Sequence, residues 1–195
     1  MYEKIARFAY EFGMLKRLRR TGWWVAGVER PESVAEHSLR TAALAYVIAL
    51  LEGGDPEHAA ALALFHDLPE CRTTDLHRLA LTYFDQEKAE LKATAEQLSP
   101  LPVQLKEALH ALLDEYRKAE SPEAKAARDA DKLECLLQAR EYAAGGVRTD
   151  AFMKTSREGL LTSTAQALAR AFLAVEPEAW WKEITPGASG QETAQ

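Results

Sequence analysis

Apolar residues recur along this chain at spacings of three and four, the signature of amphipathic helices. Ile5, Phe8, Phe12, Leu15 and Leu18 give a first helix one apolar face, and Thr21-Gly22 breaks it. A loop carrying Trp23, Trp24 and Val25 runs on to Arg30-Pro31-Glu32. Ser33 with Glu36 three residues later is the capping-box pattern, and it opens a second helix over 34–51. That helix is apolar nearly all round after Leu39, which predicts a buried central position. Gly53-Gly54 ends it, and Asp55-Pro56 supplies a cap and first position for a third helix reaching about residue 69. An irregular stretch follows through Thr73-Thr74-Asp75. Further helices are predicted over 83–98, 103–118, 121–144 and 150–175, with a short last one over 177–183. Alternating β-branched runs bounded by turn residues are missing, so no strand is predicted. No linker is long enough to divide domains. The expectation is one all-α domain, a compact bundle of six to eight helices over residues 1–184, followed by a flexible tail over 185–195.

Composition narrows the function classes. The chain has 195 residues, 47% of them apolar and 28% charged, which are globular proportions. The net charge of −6 argues against a broad grip on nucleic acid, which needs a positive excess, though local basic residues can hold a small anion. The longest apolar stretch, 41–51, is about half of a membrane-spanning helix, so no membrane partner is expected. Two cysteines cannot make a disulfide framework, and a reduced, cytoplasmic setting follows.

The chemistry-bearing feature is His66-Asp67, at the end of an Ala- and Leu-rich helix. His37 lies 29 residues before His66, on the most buried helix, and Asp131 lies 64 residues after Asp67, in Ala-Arg-Asp-Ala-Asp-Lys-Leu-Glu on a late helix. Two imidazoles and two carboxylates from three helices suit a divalent ion of the Mn²⁺, Fe²⁺, Co²⁺ or Zn²⁺ class. A lone His-Asp pair is common by chance, and a histidine on an apolar helix is more often a hydrogen-bonded core residue. The four residues together carry the metal reading. Glu70, four residues after His66, shares that face if the turn persists, where a carboxylate can handle a proton of an attacking water. Asp75 reads as a second site carboxylate or as a helix cap. Lys16, Arg17, Arg19 and Arg20 form a basic run, a solvated face in most proteins. Cys71 and Cys135 read as small buried fillers, His58 as a surface residue, and His77 and His110 as candidates for a second metal site.

His37…His66-Asp67…Asp131 resembles the H…HD…D signature of the HD-domain metal-dependent phosphohydrolase superfamily. Pro-Glu-Ser-Val-Ala-Glu-His at 31–37, His-Asp-Leu-Pro-Glu at 66–70, Asp-Lys-Leu-Glu at 131–134 and Arg20-Thr21-Gly22-Trp23 resemble the 5′-deoxynucleotidase group within it. The resemblance implies a helical homodimer with one divalent metal ion per chain, removing phosphate from deoxyribonucleoside 5′-monophosphates. It implies His37, His66, Asp67 and Asp131 as ligands, Glu70 as the catalytic carboxylate, and Asp75 as a second carboxylate placing the attacking water. Trp23 would crowd the sugar 2′ position, and Arg20 would hold the phosphate. Two departures stand out. Gly22 precedes Trp23 where the bacterial prototype has Arg, with Arg20 two positions earlier, and Thr74 stands before Asp75 where Gly is common. Three alternatives compete. One is a di-iron oxygenase, which needs extra core histidines, and another is an alarmone pyrophosphohydrolase, disfavoured by Cys71 after Glu70. The third is a binding protein that lost the chemistry.

Overall fold

A computed structural model describes residues 1–185, and the tail expected over 185–195 lies outside them from residue 186 on. Twelve α-helices appear among the described residues: α1 (Tyr2–Phe12), α2 (Gly22–Val25), α3 (Val34–Glu52), α4 (Pro56–Phe65), α5 (Glu70–Thr73), α6 (Arg78–Leu81), α7 (Gln86–Leu98), α8 (Val103–Lys118), α9 (Pro122–Ala144), α10 (Asp150–Ser156), α11 (Ser163–Ala174) and α12 (Ala179–Ile184). Seven have ten residues or more, so the excess over six to eight comes from short helices of four to seven residues. Extended pairing among the described residues is a single bridge between Arg19 and Ser33.

The capping chemistry forms as expected. Ser33 accepts from the Glu36 amide while the Glu36 carboxylate accepts from the Ser33 amide, fixing the start of α3 one turn before His37. Asp55 caps α4 and Pro56 takes its first turn. Gly53 ends α3 at φ 80°, a left-handed conformation that glycine takes without strain.

The core is α3 gripped between α4 and α9. It is built from Ala45, Ala49, Ala59, Ala63, Ala126, Ala127 and Ala130 between Ile48, Leu62, Leu133 and Leu136. Alanines let the helix axes approach closely, and the longer side chains fill the remaining space. Each fully buried Leu or Ile contributes about 1.5–3 kcal/mol. By length and composition α3 could cross a bilayer, with a mean hydropathy of 1.3. Its inner face, from Val34 and His37 to Ile48 and Ala49, is instead buried in the domain. Leu39, Tyr46, Val47, Leu50 and Leu51 remain exposed on its outer face.

Three predicted helices are broken. The first stops at Phe12 and continues as a 3₁₀ turn, Gly13–Lys16. The third stops at Phe65, so Pro69 precedes a separate short helix, α5. The span over 150–175 divides into α10 and α11. Gly159 is left-handed at φ 67° there, and the amides of Leu161 and Thr162 turn inward to the Asp129 carboxylate.

Candidate metal centre

Two helices and the turn after α4 bring the predicted ligands together. His37 projects from the first turns of α3 and is fully buried. His66 and Asp67 follow the end of α4, and Asp131 comes from the middle of α9. His37 Nε2 lies 3.2 Å from Asp131 Oδ1 and 3.7 Å from Asp67 Oδ2. His66 Nε2 lies 3.1 Å from Asp67 Oδ1 and 3.9 Å from Asp131 Oδ1. The two imidazole centroids are 5.4 Å apart. Both rings are oriented from behind. His66 Nδ1 donates to the Ala63 carbonyl at 2.6 Å, and His37 Nδ1 sits 2.5 Å from Glu134 Oε2. Each arrangement aims Nε2 at the carboxylates.

The centre leaves polar atoms without partners. His66 Nε2, Asp67 Oδ2 and Glu70 Oε2 are buried and make no hydrogen bond. An unsatisfied buried polar atom costs about 1–3 kcal/mol, and those of His66 and Asp67, grouped with His37, call for a missing partner. Their lone pairs are electron-rich nitrogen and oxygen donors, and a borderline divalent cation fits that donor set. Burial alone would push the carboxyl of Asp131 up, but the hydrogen bond from His37 and the charges of His66, His37 and Arg20 hold it well below the usual carboxylate range. Burial opposes the charged form of His37, and the carboxylates of Asp131 and Glu134 outweigh it, raising its affinity for a proton. A proton and a divalent cation compete for the same lone pairs, so the same electrostatics favour the ion.

Glu70, Asp75 and Arg20 flank these residues. Glu70 opens α5 and is buried. Desolvation, with Asp67 and Asp75 nearby, pushes its carboxyl well above the usual range. Arg20 Nη1 reaches Asp75 Oδ2 at 3.1 Å and Asp67 Oδ2 at 3.7 Å, and its Nη2 donates to Cys135 Sγ at 3.2 Å. Asp75 Oδ1 accepts from the Thr21 amide at 2.8 Å and hydroxyl at 2.9 Å, which ties the Arg20–Trp23 loop to the segment after α5. Thr74, before Asp75, is held at φ 63°.

Trp23 departs from its expected place. It is 2% exposed and packs with its ring centroid 4.6 Å from that of Phe152 and edge-on to Tyr142 at 5.1 Å, while its indole N–H donates to Glu32 at 3.0 Å. A ring with almost no free surface packs as a core residue here, and the wall expected against the sugar is put to a substitution test below. The ring joins those of Tyr142 and Phe152 in one cluster, edge-on to the first and tilted to the second.

A cavity of about 660 Å³ opens over His66, Asp67 and Asp131, a volume within the range of small-molecule sites. Its walls are α6, α7, α8 and α9, with Leu81, Glu90, Leu91, His110, Tyr116 and Arg128 among the lining residues. Sequence reasoning missed Tyr116, whose hydroxyl donates to Asp131 Oδ2 at 3.3 Å and whose ring packs 5.0 Å from His66. It also left Glu134 without a role, although a residue three positions after Asp131 shares its helix face. The remaining histidines are engaged elsewhere or stand at the rim. His58 pairs with Glu115 at 2.8 Å, His77 caps α6, and His110 lines the cavity. Burial pushes the thiols of Cys71 and Cys135 up to about 12 and about 11, so both are neutral, in keeping with fillers.

Fold and centre together define an all-helical protein in which His37, His66 and Asp67 could hold a metal ion, with Asp131 beside them. The sequence profile of the HD domain matches residues 12–175, and the chain belongs to the HD domain family. It is 35% identical over 139 residues to the human 5′-deoxynucleotidase HDDC2, covering 71% of this chain and 68% of that protein. It is 31% identical over 147 residues to a 5′-deoxynucleotidase of Erwinia tasmaniensis, covering 69% and 74%. A solved structure from Pyrococcus furiosus is similar at a TM-score of 0.74 and 32% identity, over 87% of this chain and 99% of that one. A predicted metal-dependent phosphohydrolase from Magnetospirillum magnetotacticum is similar at a TM-score of 0.68 and 26% identity, over 89% and 91%.

Proposed function

We propose that this protein is a metal-dependent 5′-deoxynucleotidase, releasing inorganic phosphate from deoxyribonucleoside 5′-monophosphates. The observation that carries the reading is the grouping of His37, His66 and Asp67, with His66 Nε2 and Asp67 Oδ2 unpartnered, beside the half-buried guanidinium of Arg20. The similarity to proteins named 5′-deoxynucleotidases supports the substrate class.

His37, His66, Asp67 and Asp131 would hold one divalent ion per chain. When bound, such an ion polarises a phosphate oxygen and makes a nearby water a stronger nucleophile. Arg20 binds a non-bridging phosphate oxygen and offsets the charge of the transferring group. Glu70, with its raised proton affinity, takes the proton of the attacking water and returns one to the leaving 5′ oxygen. Asp75 keeps Arg20 and the Thr21 loop in place through its two carboxylate oxygens. The nucleoside occupies the cavity bounded by α6, α7 and α8, whose apolar Leu81 and Leu91 suit a base and whose Glu90 and His110 offer polar edges.

The apolar outer face of α3 supports a homodimer, which sedimentation would read, and two free cysteines fit the cytoplasm. The central test is phosphate release from a panel of deoxyribo- and ribonucleoside monophosphates with Mn²⁺, Co²⁺ or Zn²⁺. Turnover of the deoxy series is expected. Metal-loaded protein that releases no phosphate from any nucleotide overturns the reading.

A further inference from the structure

Behind His37, on the side away from the carboxylates, lies a second set of buried charges. We propose that Glu134 and Arg40 are positioning residues that hold His37 in the tautomer and orientation the divalent ion needs. The inference rests on the metal-site reading above.

Glu134 and His37 are both 0% exposed. Stripping a carboxylate of water is expensive, and an apolar residue of similar size would pack there without that penalty. The carboxylate is instead used at both oxygens. Oε2 sits 2.5 Å from His37 Nδ1, and Oε1 accepts from Arg40 Nε at 3.0 Å and Nη2 at 2.8 Å. Arg40 is braced in turn, with Nη2 donating to Gln138 at 2.9 Å and Nη1 to Glu141 at 2.6 Å. A carboxylate held from two sides cannot rotate, so the imidazole it grips cannot turn either. An anion at Nδ1 keeps the proton there and leaves the Nε2 lone pair for the cation, and it raises the donor strength of that lone pair.

The two imidazoles are therefore oriented by different devices. His66 Nδ1 donates to a main-chain carbonyl, Ala63 O, which no side-chain substitution removes. His37 depends on a side-chain anion from α9 and a guanidinium from its own helix, α3. The orientation of His37 is therefore open to adjustment at those two side chains. Arg40 also walls an open cavity of about 420 Å³ that Arg19, Arg30 and Glu32 help line. A small planar cation from solvent can reach the place its guanidinium occupies.

The test uses metal-stripped full-length protein and Mn²⁺ without substrate, with folding checked by circular dichroism. Histidine ¹⁵N spectra of the metal-free protein, taken at a pH high enough to leave His37 neutral, read its tautomer. In Glu134→Gln an oxygen still accepts from Nδ1 while the charge is gone, and Mn²⁺ affinity is expected to fall about 10–100-fold. Arg40→Ala is expected to lose about tenfold and to mix the His37 tautomers. Millimolar guanidinium should restore most of that loss, and should leave wild type and Glu134→Gln unmoved. Wild-type affinity in both variants overturns the proposal, as does a loss in Arg40→Ala that guanidinium does not touch with the tautomer unchanged. If Glu134→Gln fails to fold, Arg40→Ala, whose parent side chain is 31% exposed, carries the test alone. Wild-type protein that binds no Mn²⁺ overturns this proposal together with the metal-site reading. Normal Mn²⁺ binding without nucleotide turnover overturns the substrate reading only.

Discussion

Asp129 and Asp131 stand two residues apart in α9 and point to nearly opposite sides of the helix. Asp129 is fully buried and filled: its carboxylate accepts from the Leu161 amide at 2.8 Å, the Thr162 amide at 2.7 Å and the Thr162 hydroxyl at 2.7 Å. Asp131 faces two imidazoles, takes one hydroxyl from Tyr116 and borders a cavity. Residue type and helix do not distinguish them, and burial does so only in part, Asp131 keeping 31% of its side chain exposed where Asp129 has none. What separates structure from function here is whether the lone pairs are already used. Asp129 pins the break between α10 and α11, whereas Asp131 is met only by side chains of the site and by the open cavity.

The sharpest way to break this comparison is to exchange the expected losses. Asp131→Asn should lower Mn²⁺ affinity by more than the roughly 10–100-fold an outer partner is worth, with little change in the urea midpoint. Asp129→Ala should leave Mn²⁺ affinity at the wild-type value and destabilise the fold by about 3 kcal/mol, the scale for charged hydrogen bonds lost in a buried site. A folded Asp129→Ala protein that cannot bind metal, or an Asp131→Asn protein that can, reverses the assignment.

Glu70 is the second open carboxylate, and it sharpens the same distinction between holding and reacting. Glu70→Gln should bind Mn²⁺ normally and lose turnover by about 10²–10⁴-fold, the range for a general acid–base group. Metal-loaded Glu70→Gln with near wild-type turnover would remove it from the proton transfer.

The long helices were readable because their signals are local. Ser33 and Glu36, Asp55 and Pro56, and Ser121 before Pro122 each announce a start through contacts within one turn. The breaks at 13–16 and 157–162 were not, because a lone glycine in each, Gly13 and Gly159, is a weak signal inside an otherwise continuous apolar period. The second break is made by Asp129, more than thirty residues away in sequence. In the site, His37, His66, Asp67 and Asp131 stood out as a set of ligand types on apolar helices. Glu134 did not, because a glutamate on a long helix is ordinary until a buried imidazole is found 97 residues away. Trp23 looked like a pocket wall because its packing partners, Tyr142 and Phe152, lie on late helices that its own surroundings do not announce.

Trp23 is the filled counterpart among the loop residues, its N–H taken by Glu32 and its faces by aromatic rings. Trp23→Ala should cost about 3–5 kcal/mol, as for other buried aromatics, and leave the ratio of deoxyribo- to ribonucleotide turnover unchanged. A well-folded variant that gains on ribonucleotides would return the ring to sugar selection.

Glu32, its acceptor, adds a pH signature. Burial is the main force pushing this carboxyl up to about 7, against 4.5 in the unfolded chain. The folded state therefore holds the proton more tightly. Its contribution to stability is full below about pH 4.5 and is lost as pH rises to about 7. Glu32→Gln keeps an oxygen for the indole and has no charge to form, so its stability relative to wild type should rise between pH 5 and pH 8. Urea midpoints that run parallel for the two proteins would contradict this.

The smallest effect tests whether the backbone, too, is held open beside the centre. Thr74 sits at φ 63° and ψ 161°, a region almost reserved for glycine, directly before Asp75. A β-branched residue there stores strain on the order of 1–3 kcal/mol. The strain persists because Asp75 is over-determined from the other side by Thr21 and Arg20. Thr74→Gly removes the clash and adds unfolded-state freedom of about 0.4–1 kcal/mol. The net expectation is a gain of about 1 kcal/mol, read as a higher urea midpoint with Mn²⁺ affinity unchanged. If Thr74→Gly is instead destabilised by the entropy difference alone, the backbone at Thr74 carries no strain, and the placement of Asp75 is set entirely by its own hydrogen bonds.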